Sequence, residues 1–557
     1  MDAERILKRK ENPGRCHSEA YRDFFYFLRF GIDKTAARMY NNTQSVKGKR
    51  KKGRTTMKKT ITTLLLAAML LSTMASCGGD KPVETETSAA GNDTETTAGS
   101  TETETAGETE LQPDIPALDF DGATFTFLTS GDQDENGSDW VTYDVWVEST
   151  NGEAINDAVY TRNAFLEDTY KCKLAEQKSS GKTLDEERLA VTSDSGEFDA
   201  AFTNISANVQ LAQEGLLLDL VSVPYIDLKK PWWDQRAVED LSIGKAMYFG
   251  TGDITVIDND ATWVLMFNKA MHENLSLDNI YSLVREGKWT NDAMLKMCEA
   301  AAADVNGDGT RTWQSDNFGL ATTGMTILGL FYSTGEKLTA RDSDGYPILT
   351  PDTGRMADAI VSSARILSNA NLSVVAGIAP EADVYAMETM FEEGRALFYG
   401  EVMQCITRMR GSDTDFGLIP WPKLDEAQSG YYNLVHATAA KAVNIPATQR
   451  NPEMAGALLE AMAAKSMYTL TPAYFDVSMT YKYMRDEESA EMLSIILGSR
   501  CFDLGYIYNW GDMCWNVAEP IATGDTGTFA STWETFKGPF EAALNTTIAT
   551  YKELENR

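Results

Sequence analysis

From Ala123 onward, short runs with strand character alternate with runs of helical period, and that alternation restricts the chain to sheets covered by helices. Ala123-Thr124-Phe125-Thr126-Phe127-Leu128 alternates as a strand does, and Ile155, Ala158, Val159 and Leu166 then fall on one helical face. Phe198-Asp199-Ala200-Ala201-Phe202 reads as another short strand, and Asn208 to Gln213 as a helix closed by Gly215. Trp263-Val264-Leu265-Met266-Phe267 is apolar throughout, the pattern of a strand buried on both faces. Thr350-Pro351-Asp352 leads into a helix carrying Met356, Ile360 and Leu367. Asn451-Pro452-Glu453 opens another, with Asn as cap and Pro in the first turn, followed by Ala455, Leu458, Leu459 and Met462 at i, i+3, i+4, i+7. No repeat of solenoid period is present. The expected class is α/β with a parallel sheet. At 557 residues, at least two packed units are expected.

Upstream the chain is of another kind. Met57-Lys58-Lys59 is a basic start, Ile61 to Met74 is an apolar run, and Met74-Ala75-Ser76-Cys77 follows. Basic start, short apolar core and small residues make an export signal. The apolar run falls short of the ~20 residues that a bilayer span needs. A cysteine directly after small residues resembles a lipobox, with Met74 where Leu is more usual. That resemblance implies cleavage before Cys77 and acylation of its thiol and new amino group; the plainer alternative is a membrane-anchor helix with an incidental cysteine. Residues 78–116 are almost wholly Gly, Thr, Glu, Ser and Ala, a self-repelling segment expected to be an extended stalk. The expected location is the outer face of the cytoplasmic membrane, with the protein exported and lipid-anchored. Residues 1–56 read as an over-called extension, with Met57 the initiator, although Lys47 to Arg54 taken alone suggests nucleic-acid contact.

Charge narrows the partners. Of 50 Lys and Arg and 82 Asp and Glu, 15 and 6 lie in residues 1–56, so the remainder has 35 basic against 76 acidic residues and a net charge of -41. A surface that acidic repels phosphate backbones, which argues against nucleic acid and for a neutral or cationic ligand. Seven scattered cysteines without a C-x-x-C pair, and three histidines, make a Cys/His zinc site a poor fit. Cys501 and Cys514 are candidates for a bridge in an exported protein. G-x-S-x-G, H-E-x-x-H and P-loop motifs are absent; His272-Glu273 lacks the second His. A glycosidase needs only two placed carboxylates, so a surface glycoside hydrolase stays open as an alternative.

Six landmarks stand in order along the ectodomain. They are Phe267-Asn268-Lys269; Lys288-Trp289-Thr290 at a helix start; Asp304-Val305-Asn306-Gly307-Asp308-Gly309 followed by Phe318-Gly319-Leu320; Phe391-Glu392-Glu393-Gly394-Arg395-Ala396; Asp415-Phe416-Gly417-Leu418-Ile419-Pro420; and the Asn451 to Leu459 helix. With them, the chain from about Asp119 resembles the extracellular solute-binding proteins of family 1, the carbohydrate-type receptors of ABC importers. It departs from them with Phe at 267, with Leu397 where Met is common, and in a long C-terminal stretch from Tyr481 that does not align with the family pattern. The resemblance implies a two-lobed periplasmic-binding-protein-like fold of type II with an interlobe cleft. Lobe one would be residues 117–262 plus 436–475 and lobe two 263–435 plus 476–557, hinged near 260–265. It implies no catalytic residues and no required cofactor. The partners it implies are an oligosaccharide, an ABC permease and, through the anchor, the membrane. A receptor of the same fold for peptides or other solutes is the alternative closest to hand.

Sugar sites combine carboxylates and amides for hydroxyls with aromatic faces for C–H surfaces. Candidates are Asp258 and Asp260 before the hinge strand, Trp263 at its start, Glu401 in the strand after the F-x-x-G landmark, and Asn204 at a strand's carboxyl end. Trp140 and Trp146 in the loop after the first strand, with Trp421, Tyr431 and Trp510, complete the set; Trp232-Trp233 are further possibilities. Each has a plainer reading, as a solvated turn for the aspartates and as core for the tryptophans. Asp304, Asn306, Asp308 and Thr310 stand at positions 1, 3, 5 and 7 of a calcium-like loop with Gly309 at 6, but position 12 is Ser315, and Asp316 comes one residue late. The choice there is a structural calcium or an Asx-rich turn. Cys77→Ser should abolish fatty-acid labelling and move the protein from the detergent phase to the aqueous phase; unchanged partitioning would rule out the anchor.

Overall fold

The computed structural model describes residues 110–132, 140–350, 354–409, 411–480 and 487–555. Cys77, the stalk and residues 1–56 lie outside the described residues. The strands are β1 (Thr124–Thr129), β2 (Lys173–Lys178), β3 (Ala200–Asn204), β4 (Phe249–Gly250), β5 (Trp263–Asn268), β6 (Phe318–Thr323), β7 (Thr339–Arg341), β8 (Pro347–Leu349), β9 (Ser373–Ala376), β10 (Ala396–Val402), β11 (Phe416–Ile419), β12 (Asn433–Leu434), β13 (Lys441–Asn444) and β14 (Arg500–Cys501). They build two five-stranded sheets, ordered β2-β1-β3-β13-β4 and β11-β5-β10-β6-β9, and two pairs, β12-β14 and β7-β8.

Neither sheet is purely parallel, which departs from the expectation. β13 runs antiparallel to both β3 and β4, and β5 antiparallel to both β10 and β11; the other neighbours in each sheet are parallel. The reversed strand has the same origin in both sheets. β5 is the first strand after the chain leaves sheet one, and β13 is the first after it returns, so each enters its new sheet from the opposite end. A third passage follows: helix Leu470–Thr480 packs on helix Ala154–Tyr170, and helix Glu487–Gly498 packs on β11.

Local rules account for the elements. Asn451 accepts the Met454 N–H at 3.1 Å and Pro452 takes the first turn of helix Pro452–Ser466. Helix Ile205–Gln213 is capped by Asn204 and followed by Gly215 at φ 70°. Every residue of β5 is buried, with helices on both sides of its sheet. Phe125, Phe127 and Phe202 meet at ring separations of 5.1 and 5.8 Å in the sheet-one core. Val264, Met266, Phe391, Tyr399 and Phe416 form that of sheet two, and Leu493 and Ile496 of the third passage join it.

Cys172, Cys298, Cys405, Cys501 and Cys514 are buried free thiols, so the Cys501–Cys514 bridge is not formed: Cys501 lies in β14 and Cys514 in helix Met513–Thr523. Among the described residues no helix is long and apolar enough to cross a membrane. Gly319 in β6 is set by close approach, since a Cβ there would lie 2.4 Å from the Cys298 Cα on helix Asn291–Ala301. Gly319→Ala should lower the unfolding free energy by about 1–3 kcal/mol, an overpacking penalty. An unchanged urea midpoint would contradict that contact.

Candidate functional site

The three passages meet. Thr262 pairs with Val435 in an isolated bridge, and β12 lies parallel to β14 with Asn433 opposite Arg500 and Leu434 opposite Cys501. The His436 N–H donates to the Ala261 carbonyl at 2.9 Å and the Val435 N–H to the Cys501 carbonyl at 3.1 Å. Trp263 stacks on His436 with ring centroids 5.4 Å apart. Backbone from all three segments is thereby joined in one short ladder.

Arg500 adds the electrostatic tie. Its Nη1 donates to Asp258 at 2.8 Å and also to Asn259, and its Nη2 donates to Asp234 at 2.6 Å. Asp258 further accepts from the Thr251 hydroxyl at 2.9 Å. Asp260 is held by two phenols, Tyr143 at 2.7 Å and Tyr474 at 2.9 Å. Tyr143 keeps 39% of its surface exposed along the ring while its hydroxyl turns inward to the carboxylate. Beside this junction lies a cavity of about 150 Å³ whose walls include Pro231, Asp234, Asp253, Phe475, Leu497 and Arg500. Asp253 also accepts from the Thr471 hydroxyl at 2.5 Å. Carboxylates, a guanidinium, a hydroxyl and apolar faces converge there, a lining able to exchange hydrogen bonds and to make apolar contact.

Burial dominates the electrostatics. It pushes Asp253, Asp258 and Asp260 each up to about 6, even though Arg500 opposes it at Asp253 and Asp258 and the tyrosine hydroxyls oppose it at Asp260. Glu401 is pushed up to about 7 by burial, against the Val402 N–H and Arg408.

The sequence candidates separate into groups. Asp258, Asp260 and Trp263 come together at the junction. Glu401 lies on the Tyr399 side of β10, accepts the Val402 N–H at 2.9 Å and faces Arg408 and Glu388. Trp421 is fully buried against Gly400, with its backbone N–H on Asn433 at 3.1 Å. Asn204 is occupied as a cap, accepting the Ala207 N–H at 2.8 Å. Trp140 is half-buried. The Trp146 indole N–H donates to the Leu174 carbonyl at 3.0 Å, the Tyr431 hydroxyl to the Val284 carbonyl at 2.9 Å, and the Trp510 indole N–H to Thr547 at 2.9 Å. Trp232 and Trp233 are buried and donate to the Glu460 carboxylate at 3.1 and 2.8 Å. Sequence reasoning missed Arg500, Asp234, Asp253, Tyr474 and Phe475. None of these sits in a local motif.

The Asp304 loop is organised by its own side chains. Asp304 accepts the Gly307 and Gly309 N–H groups, each at 2.8 Å, and Asp308 accepts that of Thr310 at 2.7 Å. Asp316 accepts from Val305 at 2.9 Å and Thr312 at 2.7 Å, and those N–H groups hold it down to about 2. Among the described residues, no group of three or more His, Cys, Asp or Glu could hold a metal ion.

No family model matches the chain, and no curated protein matches it. Solved structures do. An ABC substrate-binding protein from Listeria monocytogenes in complex with cycloalternan is similar at TM-score 0.48 and 11% identity, over 75% of this chain and 99% of that one. A cyclo/maltodextrin-binding protein complexed with maltotetraose gives 0.48 and 14%, over 78% and 97%. The maltose-binding periplasmic protein MalE from Listeria monocytogenes in complex with maltose gives 0.47 and 13%, over 78% and 99%. At such identities and scores the ligand of this chain is left to its own chemistry.

The junction carboxylates bind protons more readily folded than unfolded. Their contribution to stability is therefore fully present at low pH and is lost as pH rises through about 6. The melting temperature should rise on acidification from about pH 7 to about pH 5, and less so in Asp260→Asn. A flat profile, or an unchanged slope in the variant, would contradict the burial of these groups.

Proposed function

We propose that this chain is a lipid-anchored extracytoplasmic receptor that binds a neutral oligosaccharide between two lobes and delivers it to an ABC import permease. Lobe one would be residues 117–262 plus 436–475 and lobe two 263–435 plus 476–557. The observation that carries the proposal is the junction of three chain passages beside a cavity of mixed polar and apolar walls. Two bodies joined by a short ladder can rotate about it, and a solute touching both can shut them.

The chemistry favours a sugar. Asp234, Asp253 and Arg500 can exchange hydrogen bonds with hydroxyls, while Phe475, Leu497 and Pro231 meet C–H faces. Carboxylates outnumber the single guanidinium, which disfavours uronic acids and sulfated sugars. At about 150 Å³ the cavity is smaller than the ~300–1,000 Å³ of ordinary ligand pockets, so an oligosaccharide enters when the lobes part. Further candidate contacts are Asp258 and Asp260 at the junction, with Tyr143, whose hydroxyl reaches Asp260, and Trp140 three residues before it.

The receptor binds without turnover and needs no cofactor. A structural calcium would be held by Asp304, Asn306, Asp308 and Thr310, in a loop whose Asp304 and Asp308 carboxylates also brace its own N–H groups. Export and anchoring rest on the Met57–Cys77 segment.

A thermal-shift screen of neutral oligosaccharides, anionic oligosaccharides and peptides, with product analysis, tests the proposal. A neutral oligosaccharide at 100 times its Kd should stabilise the fold by about 2.7 kcal/mol and emerge unaltered. Shifts with peptides alone would make it a peptide receptor. Release of shorter sugars would make it a glycoside hydrolase.

A further inference from the structure

The stretch after β14 belongs to no landmark of the sequence, yet it touches both halves of the fold. On the sheet-two side, Asp503 accepts the Tyr332 hydroxyl at 2.8 Å and the Leu338 N–H at 2.6 Å. Helix Met513–Thr523 packs on helix Arg355–Leu367, and helix Phe529–Leu554 packs along β8. On the sheet-one side, the Gln213 amide donates to the Thr547 hydroxyl at 2.8 Å, and Tyr248 and Tyr551 meet with ring centroids 5.4 Å apart. Thr547 is buried, and its oxygen also takes the Trp510 indole N–H at 2.9 Å. Trp510 in turn stacks on Tyr508 at 4.7 Å, and the Tyr508 and Tyr551 hydroxyls lie 2.6 Å apart.

The two sets of contacts differ in extent. Toward sheet two the segment packs whole helices. Toward sheet one it meets short elements: helix Leu504–Tyr508 and the end of helix Phe529–Leu554 lie on the short helix Ile205–Gln213, the Phe502 N–H donates to Asp240 at 3.2 Å, and the Gln213–Thr547 hydrogen bond and Tyr248–Tyr551 ring pair add to these. That asymmetry is what a latch requires, with one end fixed and the other releasable.

We propose that residues 502–555 are a strap fixed to the sheet-two half and latched to the sheet-one half through Gln213–Thr547 and Tyr248–Tyr551. The strap favours the arrangement in which the junction cavity is small, so it sets how readily the halves part before any solute arrives. The proposal rests on the two-lobed reading. Its test needs no ligand, so its failure is separable from that of the receptor assignment.

The experiment is small-angle X-ray scattering on the ligand-free full chain, comparing wild type with Gln213→Ala, Thr547→Val and Thr547→Ser. Removing one hydrogen bond from the latch should shift the ratio of parted to shut molecules about fivefold. Gln213→Ala and Thr547→Val should then give a larger radius of gyration with unchanged circular dichroism, while Thr547→Ser, which keeps the hydroxyl, scatters like wild type. Should Thr547→Val fail to fold, Gln213→Ala on the sheet-one side carries the test. Scattering curves identical to wild type in folded variants, or a lower melting temperature without any change in scattering, would overturn the strap.

Discussion

Arg500 places one guanidinium where three passages of the chain meet, between Asp258 at 2.8 Å and Asp234 at 2.6 Å. Its side chain is only 13% exposed, and those of Asp234 and Asp258 are 7% and 0% exposed. Such a group is no simple source of stability, because desolvation offsets most of the Coulombic gain. The raised value of Asp258, beside its own cation, says the same. What the pair provides is position. Removing either partner leaves a buried charge, so the third passage is held in one register against the first. That tie completes a set of three crossings, the first two of which set strand direction. β5 and β13 are the reversed strands of their sheets because each is the first strand after a crossing.

The same constraint shapes the chemistry beside it. Packing three segments together buries Asp253, Asp258 and Asp260 with a single arginine, and the resulting site carries excess negative charge but abundant acceptors. Hydroxyl donors already present show how such acceptors are satisfied: Thr251, Thr471, Tyr143 and Tyr474 each give one hydrogen bond to these carboxylates. A sugar offers the same donor in quantity. Glu460 illustrates the general pattern, accepting both indole N–H groups of Trp232 and Trp233 behind the cavity wall.

Sequence signals reached the elements and, at the junction, Asp258, Asp260 and Trp263, but not the partners those residues meet. The apolar run Trp263 to Phe267 is β5 nearly residue for residue, and Asn451-Pro452 starts a helix where expected, because burial on two faces and capping are short-range effects. Strand direction is invisible to hydrophobic pattern, so the reversed strands were not foreseen. Arg500 meets Asp258 across 242 residues of chain, and no neighbour in sequence marks it. Aromatic composition likewise does not say which face a ring uses. Trp146 and Trp510 look like platforms in the sequence, and the fold uses their indole N–H groups to tie down a strand carbonyl and a helix hydroxyl.

Calorimetric titration of the chain with a neutral oligosaccharide, at several temperatures, tests the central claim most directly. Two halves that shut around a solute bury apolar surface as they do so, which predicts saturable binding of one molecule per chain, a negative heat-capacity change and unaltered sugar afterward. Saturable binding by no neutral oligosaccharide, or a steady heat of reaction with cleaved sugar in the cell, would contradict it.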